Sequence, residues 1–72
     1  MVPKIPALPY RKVHRLLTKA GFSPVRQKGS HVFYRHLNGR TTEVPRHADD
    51  ISGSLVKKIL EEAGLDPDDF WR

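Results

Sequence analysis

The sequence predicts an α+β fold in the order α-β-β-β-α, with a three-stranded antiparallel sheet and both helices on one of its faces. Two segments have the apolar spacing of amphipathic helices, and the segment between them is rich in the β-branched and aromatic residues of strands. Asn38-Gly39 is a favoured hairpin pair. The chain has 72 residues and no cysteine, so we expect one domain with a modest core.

The chain opens with a proline-rich lead and a helix. Three prolines favour an extended lead over residues 1–9, which Ile5 and Leu8 are expected to pin onto the body. Residues 10–20 are predicted to be helical, because apolar residues recur at i, i+3, i+4 and i+7, and Gly21 caps this helix. The apolar stripe is Val13, Leu16, Leu17 and Ala20, and the outer faces carry Arg11, Lys12, His14, Arg15 and Lys19.

The middle of the chain predicts the sheet. Phe22 is expected to return to the core, and an extended segment follows over residues 25–28. Gly29-Ser30 marks a tight turn before the clearest strand, residues 31–37. Asn38-Gly39 then predicts a two-residue hairpin, since both residues tolerate positive φ.

The last strand and the second helix complete the fold. Residues 40–44 form the partner strand, which Pro45 ends. Either Ser52 or Ser54 is expected to cap the second helix, and Gly64 ends it. An acidic tail over residues 66–72 follows and includes Phe70 and Trp71. The inward residues of this helix are Leu55, Ile59, Leu60 and Ala63.

Alternation along the middle strand assigns its two faces, although both carry an aromatic residue and the opposite parity stays open. The covered side receives Val32, Tyr34 and His36, with Thr42 and Val44 from the partner strand. Thr41 and Glu43 point outward. The open side receives His31, Phe33 and Arg35, beside Arg26 and Lys28.

Charge is divided unevenly along the chain. Residues 1–48 contain ten Lys/Arg and one acid, which gives +9, whereas residues 49–72 contain three Lys/Arg and seven acids, which gives −4. All four histidines lie in the basic part. Such a surface attracts polyanions, of which nucleic acid is the commonest, although a solvated basic face gives the same pattern.

These residues resemble the HicA toxin family over nearly the whole chain. The similarity is carried, in order, by Lys19-Ala20-Gly21-Phe22, Arg26-Gln27-Lys28-Gly29-Ser30-His31, Tyr34-Arg35-His36, Asn38-Gly39-Arg40, Val44-Pro45-Arg46-His47, Gly53-Ser54-Leu55, Ile59-Leu60 and Ala63-Gly64-Leu65.

The resemblance implies a single HicA-like domain over residues 1–72 with a fold like that of double-stranded-RNA-binding domains. It implies an endoribonuclease that cleaves messenger RNA, with the histidine of the Gly-Ser-His motif, His31, as the catalytic residue. It also implies a HicB-type antitoxin as partner. The residues themselves predict a cytoplasmic domain with no membrane span and no small-molecule cofactor, because no apolar run approaches about 20 residues and the chain is too short for a nucleotide-cofactor fold. Leu37 departs from the family, in which many members have proline before the turn.

The residue types suit this chemistry. Imidazole, with an unperturbed pKa of about 6.5, can take a proton from the 2′-hydroxyl of RNA or give one to the leaving oxygen. Lys28 is the nearest cation in sequence for the developing charge on the phosphate. Gly29 permits a close backbone approach and Ser30 can donate a hydrogen bond. No second proton-transfer group is evident.

The other candidates have weaker roles. Arg26 and Arg35, with Lys28 and Arg40, are expected to form a solvated basic stripe that also serves as an RNA track. Phe33 is a secondary candidate, either stacking on a base or packing under a partner protein. His47 is equally consistent with loop structure and a phosphate contact, whereas a half-buried structural role is favoured for His36.

Three alternatives stay open. A non-catalytic RNA-binding module is the first, because this fold normally recognises duplex shape. A metal site from His31, His36 and His47 is disfavoured, since spacings of five and eleven residues match no compact zinc pattern. The third is an interaction domain that has kept only its antitoxin contact.

Overall fold

The computed structural model describes residues 5–66, and the predicted α-β-β-β-α order is confirmed. The tail prediction for Phe70 and Trp71 lies outside the described residues. No helix within the described range is long and apolar enough to cross a membrane. The elements are α1 Tyr10–Lys19, β1 Phe22–Lys28, β2 His31–His36, β3 Thr41–Pro45 and α2 Gly53–Glu62.

The three strands form one antiparallel sheet in the order β1-β2-β3, with the core on one side of it. The predicted parity is confirmed, because alternate residues of β2 and β3 are buried and the residues between them are not. Val56 of α2 also lies in the core, which the helical pattern had not indicated. The sheet contributes Val32, Tyr34, Thr42 and Val44, and the helices contribute Val13, Leu17, Val56, Ile59 and Leu60.

The β2–β3 hairpin differs from the predicted two-residue turn. Arg35 lies opposite Thr41, and the backbone N–H of Gly39 donates to the carbonyl of His36 at 2.9 Å. The loop is therefore three residues long, 37–39. Gly39 alone adopts positive φ (93°), while Asn38 accepts the Arg40 N–H on its side chain at 2.9 Å.

Strand β1 contains a bulge that changes which face its residues occupy. Pro24 lies opposite Tyr34, but the next paired residue is Arg26, opposite Phe33, so Val25 is the extra residue. The pairing places Phe22 and Pro24 on the covered side. Beyond the bulge, Arg26 lies on the open side, although plain alternation from Phe22 would have put it on the covered side.

The ends of both helices agree with their cap signals. Gly21 follows α1 with φ of 96°, and Phe22 is buried beyond it, as predicted. Ser52, rather than Ser54, caps α2, because its Oγ accepts the backbone N–H of Leu55 at 3.3 Å.

The described part of the lead is attached to the body as predicted. Ile5 is buried, and Leu8 exchanges two backbone hydrogen bonds with Ile51, at 2.9 and 2.7 Å. A Cβ on Gly53 would lie 1.9 Å from the Ile5 carbonyl oxygen. Glycine at the start of α2 therefore lets the lead pass against the helix.

Candidate active site

His31 is the first residue of β2 and lies on the open face of the sheet. Its side chain is 53% exposed, and in the β1–β2 register it is directly opposite Lys28. Opposed residues of an antiparallel pair share a face. The predicted neighbours His31 and Lys28 are therefore brought together by the hairpin that joins their strands.

The structure adds an acidic partner that sequence reasoning missed. The Nδ1 atom of His31 pairs with Oε1 of Glu43, which lies diagonally across from it on β3. Glu43 was expected to point outward, and it does, but its contact with His31 depends on the register between two strands. The signal available in the sequence was that Glu43 is the one acid among residues 1–48.

The remaining open-face candidates follow the strands away from His31. The guanidinium of Arg26 lies over the ring of Phe33, with Cζ 4.7 Å from the ring centroid. Phe33 is half-buried. Arg26 therefore covers one side of a ring that was a candidate for base stacking and that is only partly exposed. Arg35 is exposed further along the same face, opposite Thr41.

The turn before His31 leaves open space beside the candidate residues. Gly29 adopts φ of 59°, and a Cβ there would meet nothing within 4 Å. The side-chain amide of Gln27 donates to the Gly29 carbonyl at 3.0 Å, and Arg46 donates its backbone N–H to the carbonyl of Ser30. Both contacts hold the turn, and Ser30 within it is exposed.

Two shallow depressions meet at the His31–Glu43 pair. The first lies on the open face and is also lined by Lys28, Gly29, Ser30 and Phe33. The second lies toward α2 and is also lined by Pro45, Leu55, Lys58 and Glu62. A ligand in either depression would contact the pair.

Two of the other histidines lie apart from this arrangement. The Nδ1 atom of His36 accepts the backbone N–H of Asn38 at 3.0 Å, and its ring packs edge-on against Phe22 at 5.1 Å. The structural role predicted for His36 is confirmed. His47 is exposed in the loop after β3, and among the described contacts no hydrogen bond or ion pair joins it to His31.

His14 was expected on the outer face of α1, but it is half-buried against the sheet. Its Nδ1 lies 2.7 Å from the hydroxyl of Tyr34, which also bonds the hydroxyl of Tyr10. Burial, followed by the hydrogen bond with Tyr10, raises the pKa of Tyr34 above its ordinary 10.0. The spacing of Tyr10 and His14, one helical turn apart, was the signal for this cluster.

Arg40 does not belong to the predicted basic stripe. A Cβ built on Gly64 would lie 2.8 Å from Cζ of Arg40, so this guanidinium lies at the C-terminal end of α2. A cation there is favoured by the carbonyl groups that end a helix. The open-face stripe is therefore Arg26, Lys28 and Arg35.

No group of three or more His, Cys, Asp or Glu side chains among residues 5–66 is arranged to hold a metal ion. In particular, His36 faces the covered side while His31 faces the open side. The three-histidine metal site that the sequence left open is not assembled.

Comparison with known proteins identifies the family. The family described as "HicA toxin of bacterial toxin-antitoxin" matches residues 10–65, which span both helices and the whole sheet. A comparison with curated proteins finds no significant match. The family match covers most of the 72 residues and includes every open-face candidate described above. The chain belongs to the HicA toxin family and is a toxin of a toxin–antitoxin system.

Proposed function

We propose that this toxin is a metal-independent endoribonuclease that cleaves messenger RNA, with His31 as general acid or base. The observation that carries the proposal is an exposed imidazole directly opposite Lys28, beside an open turn and on a face that also carries Arg26 and Arg35. Family membership supports an RNA target in general.

The chemistry needs only groups of these types. The 2′-hydroxyl of RNA attacks the adjacent phosphate, and a positioned imidazole accepts its proton. An ammonium group such as that of Lys28 stabilises the negative charge that grows on the phosphate oxygens. Gly29 and Ser30 line the depression beside His31, where a phosphate would contact the turn.

The rest of the open face supplies the RNA track. Arg26 and Arg35 attract backbone phosphates, and the exposed guanidinium of Arg26 over the Phe33 ring is a group of the kind on which RNA bases stack. His47 is a secondary candidate for a phosphate contact from the neighbouring loop.

We further propose that a HicB-type antitoxin neutralises the toxin by covering this face. Acidic side chains of the antitoxin would oppose Arg26, Lys28 and Arg35, because complementary charge steers and orders such complexes. Covering the face would also bury His31 away from RNA.

The test is cleavage of a labelled messenger RNA in EDTA by the native chain and by His31→Ala, with folding of both verified by circular dichroism. We expect the native chain to cut and the variant to be slower by about 100- to 10,000-fold. His47→Ala, which removes the same side chain from the loop, should cost much less. RNA binding without cutting by the native chain would instead favour the non-catalytic RNA-binding module, and loss of cutting in EDTA would overturn the metal-free mechanism.

A further inference from the structure

The ion pair between His31 and Glu43 is the feature from which a further role follows. Glu43 is the one acid in a stretch with ten Lys/Arg, yet its ion pair, among the described residues, is with His31 and not with a nearby cation. A carboxylate beside a phosphate-binding surface opposes RNA binding. Its contact with the imidazole therefore calls for an explanation other than affinity for RNA.

Stability does not explain the pair. The two side chains are 53% and 47% exposed, and ion pairs this exposed contribute little to folding. The pair acts more strongly on the orientation and tautomer of the His31 ring than on stability, because a hydrogen bond to one ring nitrogen of histidine determines which tautomer the ring adopts. With Nδ1–H donating to the carboxylate, Nε2 is the nitrogen left to exchange a proton with a substrate.

We infer that Glu43 is a positioning residue that holds His31 in the Nδ1–H tautomer, so that Nε2 is the general base. The inference rests on the proposed ribonuclease function. As the bond from the 2′-oxygen to phosphorus forms, the hydroxyl proton passes to Nε2, and the carboxylate stabilises the resulting imidazolium. The bond from phosphorus to the 5′-oxygen breaks, water protonates the leaving oxygen, and the imidazolium returns its proton to the hydroxide that remains.

The location of the pair agrees with this role. His31 and Glu43 are shared by the depression on the open face and the one toward α2, so substrate on either side reaches the imidazole. Glu43 also lies opposite Phe33 in the register, which fixes it on the same face as His31 through the backbone of the sheet.

The first test is spectroscopic and does not depend on activity. Nitrogen-15 NMR of the imidazole, at a pH where the ring is neutral, reports which nitrogen carries the proton. We expect Nδ1–H for His31 in the native chain, a shift toward Nε2–H in Glu43→Ala, and partial retention in Glu43→Gln, whose amide oxygen still accepts. Glu61→Ala removes an exposed acid of α2, paired with Lys57, and serves as the matched control.

The second test is kinetic. Glu43→Ala should lower kcat about 10- to 100-fold, the range known for groups that orient metal-bound histidines, with KM unchanged or lower because a negative charge is lost. Glu43→Gln should recover part of kcat. An unchanged tautomer and kcat in Glu43→Ala, with cleavage still dependent on His31, would overturn the inference. Absence of cleavage by the native chain would overturn the proposed function, while the NMR result would still decide whether Glu43 orients His31.

Discussion

At the scale of single residues, the hydroxyl of Tyr34 joins the sheet to α1 within the core. Tyr34 is fully buried, and its hydroxyl bonds both Tyr10 and His14. Tyr34→Phe removes both bonds and leaves two half-buried polar groups without that partner. We expect a loss of about 1–3 kcal/mol in the free energy of unfolding, measured with urea at neutral pH.

The same hydroxyl gives the protein a dependence on alkaline pH. Burial and the hydrogen bond with Tyr10 raise the pKa of Tyr34 above 10.0, so the folded chain keeps a proton that the unfolded chain releases. The stabilisation is complete below about pH 10 and is lost as the pH rises further. The stability of Tyr34→Phe should therefore fall less steeply above pH 10 than that of the native chain, and equal slopes would contradict this assignment.

The contact between His31 and Glu43 shows which part of the site the sequence could not predict. Alternation predicted the open face correctly, because it depends only on residues within one strand. The contact depends on the hairpin register. A two-residue loop would pair Tyr34 with Glu43 and place that carboxylate on the covered side, whereas the observed loop pairs Tyr34 with Thr42. The predicted two-residue turn and the predicted faces were thus incompatible. Burial of Thr42 and Val44 favours the three-residue loop, because only that loop places both residues on the covered side with Tyr34.

At the scale of elements, the bulge in β1 determines which residues accompany His31. The extra residue Val25 lets Phe22 enter the core while Arg26 lies on the open face. Propensity and alternation do not reveal a bulge, since the sequence around Pro24 reads only as extended. The prediction that Arg26 and Lys28 share the open face with His31 was therefore correct for a reason that only the pairing supplies.

Single-residue deletions test the bulge. Without Val25, β1 becomes a regular strand in which Arg26 still opposes Phe33. Without Gln27, the regular strand instead places Arg26 opposite Val32, on the covered side. We expect the side-chain protons of Arg26 to keep the ring-current shift from Phe33 in the first deletion and to lose it in the second.

Both deletions shorten the chain by one residue, so each controls for the other. Preserved amide shifts in the two helices would establish that the core is intact in both. Loss of the ring-current shift in the Val25 deletion, with an intact core, would contradict the register described here.

At the scale of the whole molecule, the cations of the basic part of the chain lie on both sides of the sheet. Helix α1 carries four cations on the covered side and α2 carries two Lys and two Glu, whereas the strands carry Arg26, Lys28 and Arg35 on the open side. The charge pattern alone did not distinguish a solvated surface from an RNA track. The fold favours the RNA track over a merely solvated surface, because three cations share the open face with His31. Arg40 lies instead at the end of α2.

The salt dependence of RNA binding tests this arrangement. Each phosphate contact with single-stranded RNA contributes about −0.7 to the slope of log K against log salt concentration. Replacing Arg26, Lys28 or Arg35 by Gln should therefore make the slope shallower by about 0.7 in each case, measured with a 2′-O-methyl RNA that cannot be cleaved. Lys57→Gln removes an equal charge from α2, where Lys57 pairs with Glu61, and should leave the slope unchanged. Equal effects from α2 and from the sheet would mean that RNA senses only the net charge of +5 and not the open face.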